Sequence, residues 1–330
     1  MKFWTGAGGL SKSRVFPSSL PARYPSVVEE AKLADELGFD AITCPEHHMM
    51  YDGFVTTPLQ VLAAAAAVTT NIKFIPGAML QPLYDPLEAA EYAATLDVIS
   101  NGRAMMGLGV GYRPYEFDAF GYAKKTRGAR TTEAIQAIRL ATSQKKFSFE
   151  GKHYHYEDAS IYPQPVQNPI PTWYLGGTSE IAARRAGRNG FPYWLANSSF
   201  ERTEVMVNEY RKAGHEAGFT DDQLMVACHK DVCIGQTMKE AEELKELRLD
   251  NYDEHILGYG YLVDEDGQHI YGAGRDHPIY RRFMSSIFCG TLDLVIEELK
   301  RYEALGVHAV TASGNKKFWA ENILPEFRED

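Results

Sequence analysis

The sequence predicts an α/β protein whose strands and helices alternate as a closed (β/α)8 barrel. About eight short apolar segments are each followed by a segment with helical periodicity, and such regular alternation indicates a parallel sheet. Eight strand–helix units favour a closed barrel, because open sheets seldom need so many. One stretch, about residues 250–282, is rich in Tyr, Gly, Asp and His, has little periodicity and follows the seventh unit. We therefore expect a single domain over residues 1–330, with this irregular insertion over or beside the active face.

The composition is that of a globular protein with a large core. The chain has 330 residues, of which 45% are hydrophobic and 24% charged. A formal net charge of -10 disfavours a nucleic-acid partner, and the scattered Lys and Arg residues form no membrane-binding patch. The Ala-rich run Leu62–Val68 is too short to cross a bilayer. Four cysteines without a CxxC pair, and an N-terminus unlike a signal peptide, predict a soluble cytoplasmic protein with free thiols.

The first four units carry clear helix start and stop signals. Gly38 follows a helical segment in the usual C′ position, Pro58 lies in a first turn, and Asp85-Pro86-Leu87-Glu88 has the pattern of a capping box. The predicted strands are Lys2–Ala7, Phe39–Cys44, Ile72–Met79 and Arg103–Gly109. The predicted helices are Ser26–Leu37, Thr57–Thr69, Asp85–Ser100 and Thr131–Thr142.

The second half repeats this alternation after a small hairpin predicted over Phe147–Tyr156. The predicted strands are Thr172–Leu175, Tyr193–Ala196, Leu224–Ile234 and Val307–Thr311. The predicted helices are Ser179–Arg188, Glu201–Ala217, Lys239–Leu249 and Leu292–Ala304, and Lys317–Phe327 closes the chain.

A short polar stretch after the second predicted strand is the main candidate for chemistry. The strand ends at Pro45, and Glu46, His47 and His48 follow at once. In parallel α/β folds, polar residues at the carboxyl ends of strands lie where ligands bind. Two adjacent histidines point to opposite sides of the local backbone. We therefore expect at most one of them to face a reaction centre and the other to make structural hydrogen bonds.

The glycine-rich segment 107–111 also lies at the carboxyl end of a predicted strand, the fourth. It is a poor match to a dinucleotide fingerprint, because Tyr112-Arg113-Pro114 intervenes before any helix can open. Two interpretations remain open: the backbone passes close to a flat ligand, or the segment is a tight turn without one. Glu116 follows and is either an acid or base, or an exposed carboxylate in a first helical turn.

A second glycine-rich corner, Gly176-Gly177-Thr178-Ser179, indicates an anion site. A strand ends there, two glycines free the backbone, and hydroxyl residues precede a helix whose N-terminal N–H groups suit a phosphate. An ordinary helix cap without a ligand is the alternative. His153 and His155 share a strand face, but two histidines do not complete a metal site, and we expect a structural role for them and no metal.

Taken together, several stretches resemble the bacterial-luciferase-like family of flavin-dependent oxidoreductases. They stand in the family's order from near the N-terminus to about residue 200, and this joint order is more specific than any one stretch. The stretches are Ala34–Asp40, Glu46–His48, Asp85–Glu91, Leu96–Arg103, Gly107–Gly121, Pro163–Pro165, Pro169–Pro171 and Gly176–Ser179.

This resemblance implies a TIM-type barrel that binds reduced flavin at the carboxyl ends of its strands. Gly77-Ala78 falls where the family often has a non-prolyl cis peptide beneath the isoalloxazine ring. His47 matches the family's frequent active-site histidine, and Glu116 matches an acid common in the same loop. The residues implied along the ring are Gly109 and Gly111, and those implied at the flavin phosphate are Gly177, Thr178 and Ser179, next to Gly176.

The resemblance also implies an activity. The leading expectation is a monooxygenase that uses reduced FMN (FMNH2) and O2, through a C4a-hydroperoxide, to oxidise a small organic substrate. A separate flavin reductase would supply the electrons, and a homodimer would form in part through the helix Thr57–Thr69. The alternatives are hydride transfer with the deazaflavin F420 and a flavin-binding relative without turnover. Metal-dependent hydrolysis would need carboxylate ligands joined to the His153–His155 pair, which the spacing does not provide.

Overall fold

A computed structural model describes residues 1–7, 20–50, 53–177, 179–252 and 274–328. The strands are β1 Lys2–Gly6, β2 Ala41–Cys44, β3 Lys73–Pro76, β4 Met79–Leu80, β5 Met106–Gly109, β6 Phe147–Glu150, β7 His155–Ala159, β8 Thr172–Leu175, β9 Tyr193–Leu195, β10 Val226–Lys230, β11 Val232–Ile234, β12 Phe288–Gly290 and β13 Ala309–Ala312. The helices are α1 Leu20–Glu36, α2 Pro58–Ala66, α3 Pro86–Ile99, α4 Pro114–Phe120, α5 Arg127–Ser143, α6 Glu180–Arg188, α7 Phe200–Glu216, α8 Met238–Tyr252, α9 Pro278–Ser286, α10 Leu292–Ala304 and α11 Lys316–Asn322.

The main sheet is parallel and closes on itself. Its order is β3-β2-β1-β13-β10-β9-β8-β5-β4, so its two ends, β3 and β4, are the halves of one interrupted strand. Met79 of β4 pairs with Leu108 of β5, and Phe74 of β3 forms a bridge to Ala104 just before β5. Counting β3 and β4 as one strand gives eight, so the predicted (β/α)8 barrel is confirmed.

The barrel interior is filled by one buried side chain from each of the eight strands. Three are tryptophans, and the ring of Trp4 meets the rings of Trp173 and Trp194 edge to face, with centroids 5.1 Å apart in both pairs. The complete layer is Trp4, Ala41, Ile75, Met105, Trp173, Trp194, Ala227 and Ala309. The larger apolar core lies outside the barrel, between the strands and the surrounding helices.

Most element boundaries agree with the sequence, and three elements differ more widely. Helix α1 begins at Leu20, six residues before the predicted start at Ser26, and includes Pro25. Helix α5 begins four residues earlier than expected, at Arg127. The predicted strand Leu224–Ile234 divides at Asp231, because β10 joins the barrel whereas β11 leaves it to pair with β12.

Helix α4 was not predicted, and its position changes the interpretation of Glu116. The helix starts at Pro114, which suits a first helical position because its missing N–H is not needed there. It places Glu116 in the first turn with no exposed surface. The interpretation of Glu116 as an exposed carboxylate is therefore wrong.

The irregular segment after the seventh barrel strand is held at both ends by a small two-stranded sheet. Strands β11 and β12 pair in parallel, with Cys233 opposite Cys289. Within this segment α8 reaches Tyr252 and α9 begins at Pro278, while the central residues 253–273 lie outside the described part of the chain. That the segment lies over the active face therefore stays a prediction. In the described ranges, no helix combines the length and the apolar character that a membrane crossing requires.

Arg103 joins two helix ends to the barrel at the amino end of the strands. Its guanidinium donates to the carbonyl oxygens of Ala66 and Thr69 at the end of α2, and its Nε donates to that of Ser100 at the end of α3, at 2.6–3.0 Å. These are carbonyls that a helix C-terminus leaves without internal partners. The guanidinium also lies over the Phe74 ring, 5.0 Å from its centroid. One side chain thus ties α2, α3 and β3 together.

We expect Arg103→Lys to lower the free energy of unfolding by about 2–3 kcal/mol. One ammonium group cannot reproduce a planar fork of donors that satisfies several carbonyls at once. The measurement is urea denaturation followed by circular dichroism. The matched control is Arg281→Lys, whose exposed side chain makes one surface ion pair with Asp276 and should change stability by less than about 0.5 kcal/mol. Equal stability of the two variants would contradict this role.

Candidate active site

The barrel brings four of the predicted stretches to one rim. Strands β2, β3/β4, β5 and β8 are consecutive neighbours and run parallel, so their carboxyl ends open on the same side. The segments that follow them contain Glu46-His47-His48, Gly77-Ala78, Gly109-Val110-Gly111 and Gly176-Gly177. Residues as far apart in the sequence as Glu46 and Gly176 therefore surround the open carboxyl end of the barrel. We call this end the mouth.

His47 lies at the centre of a hydrogen-bonded chain at this mouth. Its Nδ1 lies 3.1 Å from Oε1 of Glu116, and its Nε2 lies 3.1 Å from the hydroxyl of Tyr112. The same carboxylate oxygen also accepts from the backbone N–H of His48 at 3.0 Å. The rings of Phe54 and Tyr112 pack against the imidazole, with centroids 5.1 and 5.3 Å away.

The partners of His47 determine where its proton lies. Burial lowers the pKa of His47, although the hydrogen bond to Glu116 opposes this effect. Burial by itself would raise the pKa of Glu116, but its bonds to His47 and His48 and the charge of Arg113 bring that pKa below its usual value. A carboxylate can only accept, so the neutral imidazole carries its proton on Nδ1. Its Nε2 is then a base that accepts from Tyr112.

His48 contacts a different carboxylate, as expected for adjacent side chains. Its Nε2 lies 2.7 Å from Oε1 of Glu46. Glu46 is buried and accepts in addition from the hydroxyl of Tyr84 at 2.9 Å and from the backbone N–H of Leu80 at 3.2 Å. This second network joins the end of β2 to the end of β4. These bonds have a structural role beside the His47 network, because they hold the stretch Glu46-His47-His48 in place.

The third barrel strand is interrupted at Gly77 and Ala78, which separate β3 from β4. The peptide bond joining these two residues is cis, as the family resemblance implies. A Cβ added at Gly77 would lie 2.8 Å from the ring of Trp194, and one added at Gly107 would lie 3.0 Å from the same ring. At Gly107 the nearest atom is the backbone oxygen of Pro76, which the added Cβ would meet at 2.1 Å. The Trp194 ring thus requires a glycine at position 77 and contributes, after the Pro76 carbonyl, to the requirement at position 107, a packing reason that the sequence did not indicate.

Gly176, Gly177 and Ser179 form the expected corner between β8 and α6. Gly177 has a φ of +75°, which favours glycine, and its carbonyl accepts from the hydroxyl of Tyr193 at 2.8 Å. Ser179 caps α6 by accepting from the N–H of Ala182. Thr178 lies outside the described residues. On the side of Gly177 where a Cβ would project, the described residues place no heavy atom within 4 Å, so they leave the corner open there.

Two arginines next to this corner were not singled out from the sequence. Arg185 of α6 donates to the hydroxyl of Tyr174, whose ring packs against Gly176. The Arg185 guanidinium also lies against Gly128, the residue after Arg127. Burial lowers the pKa of Arg127, and the positive charge of Arg185 lowers it further. Neither arginine has an ion pair with a carboxylate among the described residues, so the two cations remain available to an anion.

The structure shows no metal site among the residues it describes. In those ranges, no three or more His, Cys, Asp or Glu side chains come together as ligands. His155 contacts Glu150 on the exposed hairpin, and the backbone N–H of His153 donates to Glu133 at 2.7 Å. The hairpin histidines thus have structural partners.

Comparison with known proteins places this architecture in a family. A family model described as luciferase-like monooxygenase matches residues 5–309. A curated relative, the uncharacterized protein y4vJ of Sinorhizobium fredii, is 28% identical over 181 residues, which are 55% of this chain. The chain spans about half of that relative's length, 52%.

Several solved structures share the fold across nearly the whole chain at 17–23% identity. Monooxygenase RslO1 from Streptomyces bottropensis has a TM-score of 0.80 at 23% identity, covering 99% of this chain and 100% of its own. The oxygenating constituent of 3,6-diketocamphane monooxygenase from Pseudomonas putida, in complex with FMN, has 0.76 at 20%, covering 99% and 98%. An F420-dependent secondary alcohol dehydrogenase has 0.75 at 17%, covering 99% of both chains.

The family match covers the barrel from β1 to β13, and the solved neighbours share the same closed sheet. The chain therefore belongs to the family of luciferase-like monooxygenases.

Proposed function

We propose that this protein is a monooxygenase that uses reduced FMN and O2 to oxidise a small, neutral organic substrate. The observation that carries the proposal is the chain Tyr112–His47–Glu116 at the carboxyl rim of the barrel. It provides a neutral imidazole whose Nε2 is a base that accepts from Tyr112, next to aromatic side chains and the interruption of the third strand. Reduced FMN, when bound, supplies the two electrons with which O2 is activated.

The residues at the mouth fit a flavin mononucleotide. Gly176, Gly177, Thr178 and Ser179 would hold the phosphate at the start of α6, where backbone N–H groups and the helix dipole favour an anion. Arg127 and Arg185 add two positive charges beside that corner. The isoalloxazine ring would lie along residues on neighbouring strand ends, namely Gly77, Ala78, Gly109 and Gly111.

The chain's own groups would handle protons and exclude water. Glu116 holds the Nδ1–H of His47, so the imidazole keeps one orientation and presents Nε2 to the mouth. His47 can then exchange a proton with Tyr112 or with a reacting oxygen atom in the same place. The rings of Phe54 and Tyr112 pack against the imidazole, which would limit the access of bulk water to that proton.

The proposal includes a separate flavin reductase and a homodimer. The glycine-rich segment 107–111 is followed by Tyr112-Arg113-Pro114 and does not match a dinucleotide fingerprint, which supports a separate protein as the source of reduced flavin. For the dimer, α2 and α3 carry an apolar groove next to exposed Val98 and Ile99. The groove is lined by Leu59, Ala63, Met79, Tyr92 and Leu96, among others.

Cofactor binding gives the first test. We expect the protein to bind FMN at least tenfold more tightly than riboflavin, because only FMN carries the phosphate. Arg185→Ala should weaken FMN binding by roughly 10–100-fold and leave riboflavin binding unchanged, the size expected for a charge-assisted contact. Flavin fluorescence titration measures both constants. Arg188→Ala, an exposed residue of the same helix, is the matched control.

Reaction with oxygen gives the second test. Anaerobic protein with reduced FMN, mixed with O2, should form an absorbing species distinct from free reduced and oxidised flavin. His47→Asn should shorten its lifetime by at least tenfold while FMN affinity changes less than threefold. His155→Asn, on the exposed hairpin, is the control. NADH alone should give no oxygen uptake until a flavin reductase is added. Tight F420 binding without oxygen uptake would instead support hydride transfer.

The pH dependence of this reaction follows from the lowered pKa of His47. Only the neutral imidazole accepts at Nε2, and burial shifts its protonation below the ordinary value of 6.5. Activity should therefore stay at its plateau as pH falls through 6.5 and decline only at lower pH. Glu116→Gln removes an influence that raises the pKa of His47, so it should move this decline further toward acid. A decline centred above pH 6.5 would exclude His47 as the base.

Association gives the third test. Sedimentation at micromolar concentration should give twice the chain mass of 37.0 kDa. Ala63→Arg, in the groove between α2 and α3, should shift the protein toward monomer, because a charge would be buried in an apolar contact. Leu294→Arg, at an exposed apolar position on α10, should leave the mass unchanged. An unchanged dimer in Ala63→Arg would place the interface elsewhere.

A further inference from the structure

A second imidazole lies inside the barrel mouth, on the seventh strand. Side chains alternate along a strand, and Ala227 of β10 belongs to the interior layer. His229, two residues later, therefore also points inward, one step closer to the carboxyl rim. Its side chain is 38% exposed. An inward side chain that solvent still reaches must line the open part of the barrel.

His229 is flanked by a buried ion pair. Oδ1 of Asp231 lies 3.9 Å from Nε2 of His229 and 2.6 Å from Nη2 of Arg248, which belongs to α8. Only 1% of Asp231 is exposed, and its backbone N–H donates to the side chain of Asn197 at 3.1 Å. Burial lowers the pKa of His229, which keeps the imidazole neutral near pH 7. The group as a whole is thus close to electrically neutral.

A buried hydroxyl next to His229 has no hydrogen-bond partner among the described residues. Thr311 of β13 is the register partner of His229, and it points inward for the same reason, two residues after Ala309. Its Oγ1 makes no hydrogen bond in the described part of the chain, although the residue is only 1% exposed. Buried hydroxyls normally find a partner, and leaving one without costs free energy. The ring nitrogens of His229 likewise make no hydrogen bond of ordinary length with the described residues.

We propose that His229 and Thr311 form a subsite that binds an uncharged oxygen, a carbonyl or hydroxyl group, of the organic substrate. Asp231 and Arg248 form an ion pair beside the imidazole. Because Arg248 is already paired with Asp231, the group has little net positive charge with which to attract an anion. This inference rests on the proposed function, because it names the substrate end of the same mouth that would hold flavin.

Matched probe molecules test the subsite. Acetophenone carries a carbonyl where α-methylstyrene carries a methylene group of similar shape, and benzoate carries an anion. Binding is measured by calorimetry and by the ¹⁵N signals of histidine-labelled protein, with and without oxidised FMN. We expect acetophenone to bind roughly tenfold more tightly than either other probe and to shift the His229 signal, as one hydrogen bond to a buried group allows.

Variants separate this subsite from general binding. His229→Leu should reduce the preference for acetophenone to less than threefold, and Thr311→Val, a substitution of similar shape, should reduce it in part. His229→Asn keeps a hydrogen-bonding group and should retain part of the preference for acetophenone. This variant tests the subsite even if His229→Leu does not fold. His215→Leu, at an exposed position on α7, should change nothing.

A failure of the subsite can be distinguished from a failure of the proposed function. Equal binding of acetophenone and α-methylstyrene, preference for benzoate, or a preference that survives in His229→Leu would each overturn the subsite. If FMN does not bind, the proposed function fails, while the flavin-free titrations still decide the subsite.

Discussion

The limited volume inside an eight-stranded barrel determines the rest of this structure. Such an interior holds side chains and little else, and here three tryptophans occupy most of one layer. The ring of Trp194 lies against Gly77 and Gly107, and the backbone oxygen of Pro76 crowds Gly107 further, so nothing larger than hydrogen fits at those positions. The third strand passes this ring as two short pieces, β3 and β4. Polar groups are consequently found at the rim above the tryptophan layer.

Two imidazoles at that rim share one electrostatic arrangement. His47 lies beside Glu116, and His229 lies beside Asp231, and both carboxylates are almost fully buried. Burial lowers the pKa of each imidazole, while the neighbouring acid works in the opposite direction. The negative charges are themselves offset by arginines, Arg113 in one case and Arg248 in the other. The mouth can thus exchange hydrogen bonds with a ligand while carrying little net charge.

Features that depend on neighbouring residues in the chain could be predicted from the sequence, whereas features that depend on barrel closure could not. Helix caps such as Asp85, which accepts from the N–H of Leu87, follow from local hydrogen bonding. By contrast, Arg127 and Arg185 are 58 positions apart, and nothing in either local pattern indicates that their guanidinium groups approach one corner. The burial of Glu116 was missed for a related reason, because only the unpredicted α4 turns it inward. The glycines of the mouth were recognised, but not the close packing of the Trp194 ring against Gly77 and Gly107.

The pairing of β11 with β12 has an evolutionary consequence. The chain leaves the barrel and returns to it at adjacent points, with Cys233 opposite Cys289, so the segment between them has its two ends fixed side by side. For such a closed loop, doubling the length costs only about 0.6 kcal/mol. Descendants of one ancestor can therefore exchange or lengthen this part without disturbing the eight strands. The segment is accordingly a place where recognition of new molecules can diversify while the chemistry at the strand ends is inherited unchanged.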